Sequence, residues 1–213
     1  MAWRYGDFLL ERIKSGWVCY LLVAAIFLCG TCAGAYSVKF MGPEELTELS
    51  AYVSVFVKRL GSEDYQVSPL ACFLGELSQM LRNVSLMWLL GVTVIGIPVV
   101  WAIVFVRGFA SGFSVAFLIQ EMGVGGALFG TCAVLPQSLF SVPSLLLAGG
   151  LSTAFSWRIL QHRRAGRKID FLGEFVSYTW CFVASLVLAI GGAIVEGWIS
   201  PIFMRVASNI IAR

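Results

Sequence analysis

The chain has 213 residues, of which 59% are hydrophobic and only 13% are charged. Soluble domains have about 45–50% apolar and about 25% charged residues, so this composition excludes a water-soluble globular enzyme. It also excludes a disordered chain, which is poor in apolar residues. The net charge of +3 is small and scattered, which argues against nucleic acid as a partner. The composition predicts an all-α polytopic integral membrane protein in contact with the lipid bilayer.

Long apolar stretches with at most one charged residue mark the predicted membrane helices. A run of 18 or more apolar residues is typical of a helix that crosses the bilayer. The first run exceeds the apolar core of a signal peptide, which has about 7–15 residues, so we expect it to remain in the protein. The pattern predicts one membrane domain over 1–213 with about five crossing helices. Their predicted bounds are 17–36, 84–106, 108–130, 137–157 and 172–195.

Prolines and glycines interrupt two of these predicted helices. Pro98 lies near the middle of the second helix and is expected to kink it, because proline lacks the helical N–H group. Pro136 and Pro143 fall near the junction of the third and fourth helices, after several glycines between 123 and 130. For the third helix, placed at 108–130, an early stop near Met122 followed by a broken or re-entrant segment is an open alternative.

The distribution of basic residues predicts the orientation. Segment 1–16 carries three Lys or Arg residues and the loop 158–171 carries five, and Arg107 follows the second predicted helix at a short turn. Short loops rich in Lys and Arg stay in the cytoplasm. The N-terminus and the loop 158–171 are therefore predicted to be cytoplasmic, whereas 37–83 and the tail 196–213 are predicted to be external.

The external segment 37–83 is expected to form two amphipathic helices, over about 43–60 and 69–82, at the membrane surface. Pro43 followed by Glu44 and Glu45 is typical of a helix N-terminus, since acidic side chains there face the positive end of the helix dipole. Two interpretations stay open for this segment: a lid over the helix bundle, or a docking surface for an external partner. The tail is expected to lie flat on the same face.

No arrangement of residues predicts a catalytic site, a metal site or a cofactor. His162 is the only histidine, and it lies in the basic loop. Cys29 and Cys32 have redox or metal spacing, but they fall inside the first apolar helix, where cysteine packs as a small hydrophobic residue. The protein is therefore expected not to be an enzyme.

A few polar or charged residues near the predicted membrane helices remain candidates for function. Glu121, beside Gln120, is the strongest, because a carboxylate in an apolar stretch is costly and is by default a functional hypothesis. It would suit a proton or ion pathway in a transporter or permease component that also uses the broken 120–145 region. The alternative is that Glu121 marks the outer end of the third helix. Glu196 and Pro201 lie at the external end of the fifth helix.

Glycines recur at small-xxx-small spacing, which lets two helix backbones approach closely in lipid. Such faces predict contacts within the bundle or between protomers, and a homodimer is one expected outcome. The three pairs are Gly30 with Gly34, Gly108 with Gly112, and Gly126 with Gly130.

Four motifs follow each other along the chain: LMWLLGVTVIGIP at 86–98, FVRGFASGF at 105–113, LPQSLFSVP at 135–143 and IVEGWISP at 194–201. In this order and spacing they resemble the stage II sporulation protein M family. Gln137 and Ser141 stand where the broader family has ionisable residues. The resemblance implies a non-enzymatic scaffold at the septal membrane of sporulating cells. Its implied partners are stage II sporulation proteins D and P, two peptidoglycan hydrolases that thin the septal wall and drive engulfment of the forespore.

Overall fold

The computed structural model describes residues 16–61, 69–93, 95–164, 171–195 and 198, and it contains helices and no strand in these ranges. The prediction of an all-α membrane protein is confirmed. The helices are α1 (Trp17–Ser37), continued by a 3-10 turn (Val38–Phe40), α2 (Pro43–Gly61), α3 (Pro69–Gly91), α4 (Gly96–Arg164) and α5 (Phe171–Ile194).

Helix α4 is a hairpin of two arms, because its backbone leaves helical geometry at Gly123 (φ 56°, ψ −131°). A positive φ is accessible to glycine without steric cost. The arms, α4a (96–122) and α4b (124–164), lie antiparallel. Trp101 Nε1 donates a hydrogen bond to Thr153 Oγ1 at 3.3 Å, and Gly149 packs against the side chain of Val104. The break coincides with the alternative stop near Met122 and not with the predicted helix end at residue 130, and the segment after it is helical.

The directions of the other helices follow from their contacts. In α1, Phe27 and Thr31 lie beside Gly108 and Gly112 of α4a in the same order, so the two helices are parallel. In α3 and α4b, Met87 and Gly91 lie beside Ser152 and Ser156, again in the same order. The helix α5 runs antiparallel to α3, since Trp88 contacts Thr179 and Met80 contacts Gly192.

Consecutive helices of the bundle therefore alternate in direction, in the order α1, α3, α4a, α4b and α5. The start of α1, the α3–α4 turn and the start of α5 lie at one end of the bundle. The end of α1, the start of α3, the Gly123 break and the end of α5 lie at the other end. We call the second end the kink end, after Gly123.

Within the described residues, four segments are long and apolar enough to cross a membrane: Trp17–Phe40, Gly96–Glu121, Ser138–His162 and Leu172–Ile194. Helix α3 is as long, with 23 residues, or about 34 Å at 1.5 Å per residue. Glu76 and Arg82 make it less apolar than the others. The predicted number of five crossing helices is therefore approximate: four segments meet the criterion, and α3, of which 69–82 was predicted to lie at the membrane surface, runs alongside them.

The second predicted helix, 84–106, is not continuous in the structure. A turn follows Gly91, and α4 begins at Gly96. Pro98 consequently lies in the first turn of α4 and does not kink it, because the first turn has no intrahelical acceptor for its N–H groups. Because no charged residue lies near the turn, the sequence pattern does not predict this helix boundary.

The bundle buries one set of apolar side chains and exposes another set that includes large ones. Val23, Met87, Val100 and Val104 are at most 4% exposed. Leu28, Val106, Trp180 and Val187 are each more than 60% exposed. Soluble monomers rarely expose a contiguous apolar surface of this kind, so the outside of the bundle suits contact with lipid chains.

Helices α1 and α4a meet through two glycine pairs. A methyl group built on Gly34 would lie 2.9 Å from the Cα of Phe109, and one on Gly112 would lie 2.9 Å from the Cα of Thr31. Gly30 and Gly108 approach the backbone of the opposite helix in the same way. The third predicted pair, Gly126 and Gly130, lies on α4b, where only the backbone is described.

Candidate functional site

A pair of opposite charges lies inside the bundle. Glu76 of α3 is 7% exposed, and its Oε1 lies 3.7 Å from Nη2 of Arg107 on α4a. The same oxygen accepts no hydrogen bond within the described part of the chain. Glu76 shares one face of α3 with Met80, Val84 and Met87, which are all buried. This face packs against α4 and α5, so the position of Glu76 on α3 places its carboxylate between the helices.

Arg107 lies well inside α4a, 11 residues after its start. The prediction that it lies at a cytoplasmic turn is therefore wrong. The prediction ends a helix at residue 106, directly before Arg107. In the structure α4 begins at Gly96, so Arg107 lies near the centre of α4a.

Arg107 borders a small, partly open chamber between the helices, with a volume of about 70 Å³. The chamber exceeds the space of about 10–15 Å³ that one water molecule requires. Its wall combines hydroxyl, amide and guanidinium groups with apolar side chains from α1, α3, α4a and α4b. The lining residues are Phe27, Met80, Asn83, Val84, Arg107, Ser111, Ser138, Ser141, Val142, Ser144 and Leu145.

A second polar cluster closes the end of α3 nearer the α3–α4 turn. Carbonyl groups in the last turn of a helix have no partner within the helix. Ser152 donates to the carbonyl of Met87 at 2.7 Å. Ser156 donates to the carbonyl of Gly91 at 2.5 Å, and Tyr178 donates to that of Trp88 at 3.0 Å. Hydroxyl groups from α4b and α5 therefore satisfy the end of α3 inside the bundle.

The comparison with known families identifies the chain. The family model described as stage II sporulation protein M matches residues 23–201. The chain belongs to the stage II sporulation protein M family. Comparison with the curated proteins and with the solved structures gave no match. The protein is thus a sporulation-related, multi-pass membrane protein, and the match covers every helix described above from Val23 onwards.

The motifs that carry the family likeness occupy different parts of this architecture. The motif at 86–98 contains the end of α3 and the turn into α4. The motif at 105–113 contains Arg107 and the glycines that contact α1. The motif at 135–143 contributes Ser138 and Ser141 to the chamber. Three of the four motifs thus meet at the chamber or at the hydroxyl cluster beside it.

Most of the residues singled out from the sequence lie away from the chamber. Glu121 and Gln120 are exposed at the end of α4a, next to the Gly123 break. Pro143 is exposed on α4b. Pro136 and Gln137 lie on α4b where only the backbone is described, and Glu196 and Pro201 lie outside the described residues. Arg107 is the predicted site residue that the structure brings to the chamber.

Sequence reasoning missed Glu76 and Asn83 as interior residues, because both were assigned to the external segment. A signal was nevertheless present. Glu76, Met80, Val84 and Met87 follow each other at intervals of three or four residues, which is the spacing of one helix face. The described residues contain no group of three or more His, Cys, Asp or Glu side chains that could hold a metal ion.

Proposed function

We propose that the protein is a non-enzymatic membrane scaffold that recruits and anchors stage II sporulation proteins D and P at the septal membrane. There it supports septal wall thinning and engulfment of the forespore. Membership of the stage II sporulation protein M family supports the setting. One observation in the structure supports the scaffold role. Helix α2, at the kink end of the bundle, packs little against the other described helices and exposes charged and apolar side chains.

Helix α2 links the end of α1 to the start of α3 and does not pack extensively against any other described helix. Glu44 and Glu45 lie in its exposed first turn. Tyr52 is 70% exposed and Val55 is 50% exposed. A lid would bury such side chains against the helices that it covers. Their exposure therefore favours a docking surface over a lid.

The proposal places the kink end outside the cell. The basic segments 1–16 and 158–171 adjoin the start of α1 and the start of α5, which lie together at the opposite end of the bundle. Positively charged loops favour the cytoplasm. The helix α2 then faces the wall compartment, where peptidoglycan hydrolases act.

Co-purification tests the proposal. Tagged protein from sporulating cells is expected to recover proteins D and P. The double variant Tyr52→Ala/Val55→Ala removes exposed apolar contacts from α2, and we expect it to lower the recovery by about tenfold, the effect of about 1.4 kcal/mol. Leu172→Ala is the matched control, since Leu172 is 75% exposed at the opposite end of the bundle.

Equal recovery of both hydrolases by the α2 variant and by the control would show that α2 is not the docking surface. Recovery of neither hydrolase with the unaltered protein, together with normal engulfment in cells that lack it, would contradict the scaffold role. Membrane levels of each variant are measured by immunoblot, so that loss of binding is separated from loss of protein.

A further inference from the structure

The chamber beside Arg107 has the side-chain chemistry of an oxyanion site. Arg107, Asn83 and Ser141 border it, and among the described residues no acidic side chain does. Within the described part of the chain these three side chains form no hydrogen bond. All three are partly exposed, and the side chain of Arg107 is 30% exposed, so their donor groups are accessible from the chamber. A guanidinium flanked by amide and hydroxyl donors is suited to carboxylate or phosphate oxygens.

Glu76 acts as a loosely held counter-ion to Arg107. The separation of 3.7 Å exceeds the length of about 2.7–2.9 Å that a charge-assisted hydrogen bond has. Glu76 does not border the chamber. The guanidinium therefore keeps N–H groups for a second anion, and that anion would compete with Glu76 for the same positive charge.

An apolar groove continues from the chamber to the surface of the bundle. It lies between α1, α4a and α4b and has a volume of about 390 Å³. Chamber and groove share Phe27, Ser111, Ser138 and Val142 as lining residues. Beyond them, Ala35 and Ile119 give the groove an apolar wall. A ligand that fills both spaces therefore needs a polar group at one end and an apolar chain at the other.

We propose that chamber and groove together bind a single-chain amphiphile with an oxyanion headgroup. Its carboxylate or phosphate group contacts Arg107, Asn83 and Ser141, and its alkyl chain occupies the groove beside α1. This site is separate from the α2 docking surface, so its failure leaves the scaffold proposal intact.

Binding of radiolabelled palmitate to the full-length protein in phosphatidylcholine nanodiscs tests the site, with empty nanodiscs subtracted. We expect saturable binding. Hexadecanol has the chain without the charge, and acetate has the carboxylate without the chain. Each is expected to compete at least about tenfold less effectively than unlabelled palmitate, because hydrogen bonds to a charged group or burial of the chain are lost.

Variants of the charge pair give effects in opposite directions. Glu76→Gln removes the competing carboxylate and should tighten palmitate binding. Arg107→Gln should weaken it by about tenfold or more. The double variant Glu76→Gln/Arg107→Gln leaves no unpaired charge in the bundle and should fold yet fail to bind. Arg158→Gln is the control, because Arg158 pairs with Glu174 away from the chamber.

Several results would overturn the assignment. Hexadecanol or acetate competing as well as palmitate would show that headgroup or chain is not recognised. Native-like binding by the folded double variant would remove Arg107 from the site. Weaker binding by Glu76→Gln would show that Glu76 does not compete with the ligand. Melting temperatures of all variants establish that each is folded when binding is measured.

Discussion

Two glycines with different surroundings separate the effects of packing and of helix propensity. A methyl group at Gly112 would collide with the backbone of Thr31, whereas one at Gly75 would meet nothing within 4 Å. Both residues lie inside helices, so the intrinsic preference for alanine is similar at both. The difference between them measures how closely α1 must approach α4a.

Gly112→Ala is accordingly expected to lower the free energy of unfolding by about 1–3 kcal/mol, the usual effect of overpacking. Gly75→Ala is expected to raise it by up to about 1 kcal/mol through helix propensity. Unfolding by denaturant in mild detergent, followed by circular dichroism, gives both values. Equal effects of the two substitutions would mean that the α1–α4a contact is not close in the membrane.

The hydroxyl groups at the end of α3 make a second residue-scale prediction. Ser156→Ala leaves the buried carbonyl of Gly91 without this donor, and it is expected to lower the free energy of unfolding by about 1–3 kcal/mol. Ser114 is exposed and bonds only within its own helix, so Ser114→Ala should change stability by less than about 0.5 kcal/mol. The same denaturant assay compares them. Similar values for both would remove the role assigned to the α3 end.

At the scale of elements, the position of Pro98 distinguishes the observed helix boundary from the predicted one. Pro98→Ala should leave stability almost unchanged, because the first turn of α4 tolerates proline. Val104→Pro, two turns further on, should lower the free energy of unfolding by about 3 kcal/mol or more. If Pro98→Ala straightened a kink and changed stability strongly, the helix would extend through residues 92–95 after all. Denaturant unfolding again provides the measurement.

The elements show what the sequence could and could not predict. The apolar runs around α1 and α5 were long and bounded by charges, so their positions were predicted within a few residues. The turn between α3 and α4 lies among apolar residues, and hydrogen bonds from α4b and α5 stabilise it. Such tertiary contacts leave no local trace. Without this turn, the sequence predicts Arg107 at a helix end, so the chamber beside it is not predicted either.

For the whole molecule, the proposed orientation and the alternating helix directions predict which positions a reagent outside the cell can reach. In a variant without native cysteines, Glu48→Cys on α2 should react with an impermeant maleimide added to intact protoplasts. Leu172→Cys at the start of α5 should react only after lysis. Both positions are exposed, so a lack of reaction reflects the membrane barrier. The reverse labelling pattern would show that the protein has the opposite orientation and that α2 does not face the wall compartment.

Assembly of more than one chain stays a prediction at this scale. Two of the three glycine pairs meet inside a single chain, where α1 contacts α4a. They are therefore already covered and are poor candidates for a dimer contact. An interface between copies would have to use other parts of the apolar exterior.

The helix α3 follows α2 in the chain. At the other end of α3, three hydroxyl groups donate hydrogen bonds to its carbonyl groups. If the kink end faces the wall compartment as proposed, a pulling force that a wall-bound partner applies to α2 would act on α3. Because Ser152 and Ser156 belong to α4b and Tyr178 to α5, the force would be shared by both helices. In that orientation α3 would couple a load on the wall side to α4b and α5 near the opposite surface of the membrane.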